Sequence, residues 1–165
     1  VTSARESGFS ESDAEEYWTP QISIGAPVLI PENFIPDLTV RLNVYRRIAD
    51  LVDTDEIDSY AAELTDRFGR LPEEVNNLFK VIIIKQLCRK ASVEKVDAGP
   101  KGAVVSFRND DVKNLSGLIE LLGRDQMTTQ LRTDHKLIHK SNWKRAPERV
   151  QGLTRLMQDL AVIAE

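Results

Sequence analysis

Cysteine, histidine, aromatic residues and long apolar runs are all scarce in this sequence, and each shortage removes a class of function. Cys88 is the only cysteine, so no internal disulfide can form and a reducing, cytoplasmic setting is expected. Aromatic residues make up 6% of the chain, too few and too scattered to stack a run of unpaired bases. No apolar run approaches the roughly 20 residues that span a bilayer. Residues 1–16 are polar and acidic, unlike a secretory leader, and no membrane partner is expected. Excess positive charge is missing too: a net charge of −4 and a pI near 5.3 argue against a general nucleic-acid binder.

The motifs of catalysis are equally thin. A P-loop needs Gly-x-x-x-x-Gly-Lys-Ser/Thr, whose backbone N–H groups hold phosphates. Gly99-Pro100-Lys101-Gly102 is too short, lacks the hydroxyl and reads as a turn. His135 and His139 are the only histidines. Their spacing can hold zinc on a helix, but a third ligand is needed, and Asp134 is merely adjacent. Surface histidines in a hairpin are expected, and no metal site. Cys88 follows Leu87 on a buried-looking helix and reads as a small core residue, since a reactive thiolate needs an electropositive, partly exposed setting. The carboxylates between 50 and 74 could supply an acid/base pair only within a cleft, which the sequence does not display. Their simplest role is a solvated helix face.

What remains is an ordinary soluble composition, 41% hydrophobic and 29% charged over 165 residues, enough for one core plus a tail. Residues 1–20 read as a linker and residues 21–165 as the domain. Gln21 to Ile30 alternates Ile22, Ile24, Ala26 and Val28 on one side and predicts a strand, which Pro27 confines to an edge or a bulge. Asp37 caps a predicted helix from Leu38 to Leu51 with Leu38, Leu42, Tyr45 and Ile48 or Ala49 inward. Asp53 or Thr54 caps a second predicted helix, about Asp55 to Phe68, with Ile57, Tyr60 or Ala61, Leu64 and Phe68 inward. A third, from Pro72 to Ala91, is mostly buried along Val75, Leu78, Ile82 and Lys85 or Gln86. Val93–Val96 and Ala103–Phe107 form one hairpin; Thr128–Arg132 and Lys136–His139 form another. A short helix spans Leu115–Leu122, and an amphipathic one runs from Trp143 to Ala164. Helices and strands come in groups, which predicts an α+β domain: a small, largely antiparallel or mixed sheet packed with about five helices.

Charge is unevenly spread. Acids crowd residues 1–16 and 50–74, whereas Lys136, Lys140, Lys144, Arg145 and Arg149 make the stretch near Trp143 basic and a candidate for phosphate contacts. The most informative segment is Glu63-Leu64-Thr65-Asp66-Arg67-Phe68-Gly69. Glu63, Asp66 and Arg67 lie at helical i, i+3, i+4 spacing and share one face, with Leu64 and Phe68 on the next. Gly69 stops that helix and Pro72 opens the following one. A charged triplet held at the end of a well-terminated helix suits docking better than catalysis. In a helix standing alone, Asp66 and Arg67 could equally brace their own helix end.

Pro31-Glu32, Ile35-Pro36-Asp37, Arg41-Leu42, Tyr45-Arg46-Arg47, Glu63-Leu64, Asp66-Arg67-Phe68-Gly69, Pro72, Glu74-Val75 and Leu78 together resemble the C-terminal domain of the bacterial transcription-repair coupling factor family. The resemblance covers residues 20–165 and is most specific between 28 and 78. It implies a non-catalytic regulatory domain of an ATP-dependent DNA translocase, with ATP and Mg confined to a preceding module and no cofactor here. It implies docking on an N-terminal UvrB-like module of the same protein, where the domain masks the surface that binds UvrA and restrains the translocase. The intact family members also engage RNA polymerase and DNA. The family's docking residues correspond to Glu63, Asp66 and Arg67. Thr65 departs from the pattern, standing where the family usually has an aliphatic residue. Residues 1–20 are then the connection from the translocase module. An accessory contact with DNA or polymerase through Lys136, Lys140, Lys144, Arg145 and Arg149 is the alternative.

Overall fold

Side-chain caps set the helix boundaries. A computed structural model describes residues 18–112, 114–124 and 128–165. Asp37 Oδ1 accepts from the Val40 amide at 3.0 Å and starts α1, Leu38–Ala49. Asp53 Oδ1 accepts from the Glu56 amide at 2.8 Å and starts α2, Thr54–Phe68, while Glu56 Oε2 accepts from the Val52 amide at 2.7 Å. Pro72, whose fixed φ suits the position, precedes α3, Glu73–Ala91. Later come α4, Leu115–Arg124, and α5, Ala146–Ala164. Among the described residues these five α-helices accompany five strands: β1 Gln21–Ser23, β2 Val93–Gly99, β3 Gly102–Phe107, β4 Thr129–Leu131 and β5 Lys136–Lys140. The α+β architecture expected from the sequence is the one observed.

The strands form one mixed sheet in the order β1-β2-β3-β5-β4, with β1 parallel to β2 and every other pair antiparallel. Val96, Val105 and Leu137 lie in one cross-strand row and are fully buried beneath α3 and α5. Their neighbours along the strands alternate to the other face: Lys95, Asp97, Val104, Ser106, Lys136 and Ile138. One core therefore joins the inner sheet face to Ile84 and Cys88 of α3, Leu118 of α4 and Leu153 and Met157 of α5. A second core is helical and packs Val44 and Ile48 of α1, Ile57, Tyr60 and Leu64 of α2, and Val75 and Phe79 of α3. The long apolar helix α3 serves both cores, which is why its sequence is apolar on more than one side.

Five sequence expectations shift. The strand predicted over 21–30 ends at Ser23, because Gly25 turns the chain at φ +63°. It is nonetheless an edge strand; Pro27 lies beyond its end, where the Pro27 carbonyl accepts from the buried Asn77 Nδ2 at 3.0 Å. On α1 the inward residues are Val44 and Ile48, while Leu38 and Leu42 are 60% and 44% exposed. On α3 the fully buried residues include Val75, Ile84 and Cys88, and Leu78 and Ile82 are half-buried. Trp143 precedes α5 instead of starting it, and its indole covers Gly152. The expected linker falls outside the described residues up to position 17; Trp18 stacks on Arg108, 4.8 Å from guanidinium to ring centre, and Pro20 is buried, so both belong to the folded body.

Candidate docking face

The helix α2 buries one side and displays the other. Ile57, Tyr60 and Leu64, spaced three and four apart, point into the helical core, and Leu64 is fully buried. Tyr60 meets Phe79 edge-on with ring centres 6.4 Å apart, and Phe68 meets Phe34 at 5.7 Å. These aromatic contacts fix the rotation of α2 about its axis. Glu63, Asp66 and Arg67 consequently all face solvent.

Glu63 and Arg67, four apart, could form an intrahelical ion pair. They do not: Arg67 lies over the Phe68 ring, 4.8 Å from its centre. The carboxylates of Glu63 and Asp66 have no hydrogen-bond or ion-pair partner among the described residues. The helix end is closed instead by the Gly69 amide, which donates to the Thr65 carbonyl at 2.9 Å, with Gly69 at φ +94°. Asp66 is therefore no cap. Thr65 is exposed and its Oγ1 donates to the Ala61 carbonyl at 2.8 Å, so a polar residue there disturbs no packing.

A shallow groove of about 390 Å³ runs beside the triplet, lined by Arg47, Asp53, Asp55, Glu56, Tyr60 and Glu63. The Arg47 guanidinium sits 5.5 Å from the Tyr60 ring centre. Burial, then the Glu63 carboxylate, raises the Tyr60 pKa, while Arg47 and Arg67 pull it the other way. Asp53 and Glu56 hold amides at the start of α2 and Asp55 is exposed, so these acids form no desolvated catalytic pair. Among the described residues no three His, Cys, Asp or Glu side chains gather to hold a metal.

The profile of the TRCF domain matches residues 24–118. The transcription-repair-coupling factor of Rickettsia bellii is 35% identical over 125 residues, which is 75% of this chain and 11% of that protein. That of Escherichia coli K12 is 29% identical over 140 residues, 85% of this chain and 12% of that protein. This chain belongs to the TRCF-domain family. A crystal structure of the C-terminal domain of transcription-repair coupling factor superposes with a TM-score of 0.75 at 17% identity, covering 89% of this chain and 94% of the other, so the fold is shared. The chain spans about a tenth of the length of the relatives it matches.

Within this TRCF domain the profile match includes Glu63, Asp66 and Arg67 and stops short of the basic stretch. The fold divides that stretch. Lys140, Lys144 and Arg145 are exposed near one another in sequence, and Lys136 is half-buried at the far end of β5. Arg149 is a correction: it is only 6% exposed and makes no surface cation. Its guanidinium donates to the carbonyls of Ile24 at 3.1 Å, Gly25 at 2.8 Å, Trp143 at 3.0 Å and Lys144 at 3.3 Å. The histidines are separated in role. His135 is exposed in the hairpin turn at φ +65°, whereas His139 Nδ1 lies 2.8 Å from Thr129 Oγ1 and its ring 5.3 Å from that of Trp143. Cys88 is fully buried, and that burial pushes its thiol pKa up to about 12, the opposite of an activated thiolate.

Proposed function

We propose that this TRCF domain is a non-catalytic regulatory domain of a transcription-repair coupling factor. It docks through Glu63, Asp66 and Arg67 on an N-terminal UvrB-like module of the same protein. That contact masks the UvrA-binding surface and restrains an ATP-dependent DNA translocase whose ATP and Mg sites lie in another module. In this reading RNA polymerase, DNA and UvrA are partners of the whole protein. The observation that supports it is the exposed pair of carboxylates on a rotationally fixed helix: two acceptors without partners among the described residues, beside a guanidinium that lies over a ring.

The chemistry suits a reversible latch. Each carboxylate can accept a bidentate pair of hydrogen bonds from a partner arginine, and Arg67 can answer a partner acid. An exposed pair contributes only about 0–1 kcal/mol, and more when the interface excludes water. A few such pairs hold the closed state by a margin that a competing partner can overcome. The test is Glu63→Arg with Asp66→Arg in the full-length protein. UvrA capture and basal ATPase activity should both rise; a protein unchanged in both measurements sinks the proposal.

A further inference from the structure

Gly102 sits at φ +128°, where a side chain would collide with the His139 carbonyl. The turn between β2 and β3 can therefore press against the end of β5, with Gly102 in register with Lys140. Two more bonds fasten this corner: the Ser141 amide donates to the Lys101 carbonyl at 3.0 Å, and the Trp143 amide to the Pro100 carbonyl at 2.9 Å. From below, buried Arg149 holds the carbonyls of Trp143 and Lys144. The fold thus gathers Lys101, remote in sequence, with Lys140, Lys144 and Arg145. All four are exposed, and none makes an ion pair among the described residues. The start of α5 adds its partial positive charge beside Arg145, and Glu148 is the single acid in that first turn.

We propose that this corner binds the sugar–phosphate backbone of duplex DNA without reading sequence. Charge complementarity selects an anionic partner, and three further observations select the kind. None of the large exposed apolar residues, Leu115 and Ile119 among them, belongs to the β2–β3 turn, the end of β5 or the loop before α5, so these segments supply no apolar centre for a protein interface. Trp143 is 5% exposed and cannot stack on unpaired bases, which disfavours single strands. Ser141 and Asn142 add uncharged polar groups of the kind that contact phosphates. Turn, strand end and loop are locked by backbone bonds, so binding orders little more than the four side chains.

The test is fluorescence anisotropy of this chain with a labelled mixed-sequence duplex of roughly 20 base pairs, between about 50 and 200 mM NaCl. Neutralising about three phosphates predicts a log–log salt slope of about −2.7, a loss of affinity of about 40-fold across that range. Lys140→Gln with Lys144→Gln should cut the slope by about two and weaken binding at the lowest salt at least about tenfold. Arg46→Gln with Lys80→Gln, the same charge change on α1 and α3, should leave it unchanged. Absence of binding at the lowest salt, equal losses in both variants, or tighter binding to polyglutamate than to the duplex would each overturn the proposal.

Discussion

Arg149 is 6% exposed, fastened to four carbonyls and, among the described residues, to no carboxylate. The forked guanidinium can satisfy acceptors from two segments at once, which a single ammonium cannot. It joins the chain just after β1 to the loop before α5, across 124 and 125 residues of sequence. Arg149→Met strands those carbonyls, and its expected cost is about 3 kcal/mol or more by urea unfolding. Arg149→Lys should recover less than half of it, and a Met variant within about 0.5 kcal/mol of the parent would contradict the assignment. Nothing local marks Arg149 as internal: it stands in a run of cations, and its acceptors are backbone atoms far upstream. Glu63, Asp66 and Arg67 were readable as a shared face because helical spacing alone sets their directions.

At the scale of elements, the caps were legible and the orientation of some helices was not. Asp37, Asp53 and Pro72 sit where short-range chemistry requires them, and each begins its helix. Helix α1 carries two apolar rows, Leu38–Leu42–Tyr45 and Val40–Val44–Ile48. The choice between them is made by α2 and α3, with which Val44 and Ile48 share a core. The early end of β1 at Ser23, before the turn at Gly25, was likewise hidden beneath an alternation that continues through Val28. The caps give a contrast that tests the reading of the docking helix. Asp53→Ala should destabilise by about 1 kcal/mol through loss of its amide bond. Asp66→Ala, which removes no bond among the described residues, should shift stability by less than about 0.5 kcal/mol. Denaturant titration measures both, and an Asp66 variant as costly as the Asp53 variant would return Asp66 to a bracing role.

For the whole molecule, α3 is the organising feature. Its 19 residues extend about 28 Å and carry side chains into both cores. The proposed docking face stands on the helical core and the basic corner on the sheet, so one rigid helix sets their relation. The α+β class and the family were legible because the capping and docking motifs fall within one short stretch of sequence, between Pro31 and Leu78. The basic corner was only half legible, because Lys101 reaches it through strand pairing rather than sequence proximity. The central claim is that the exposed carboxylates on α2 are complementary to another part of the same protein. Titrating this chain with the purified N-terminal UvrB-like module by calorimetry tests it most directly. Saturable one-to-one binding is predicted, weakened at least about tenfold, or about 1.4 kcal/mol, by Glu63→Arg with Asp66→Arg. An affinity indifferent to that double reversal, or no binding by the parent chain, would contradict it.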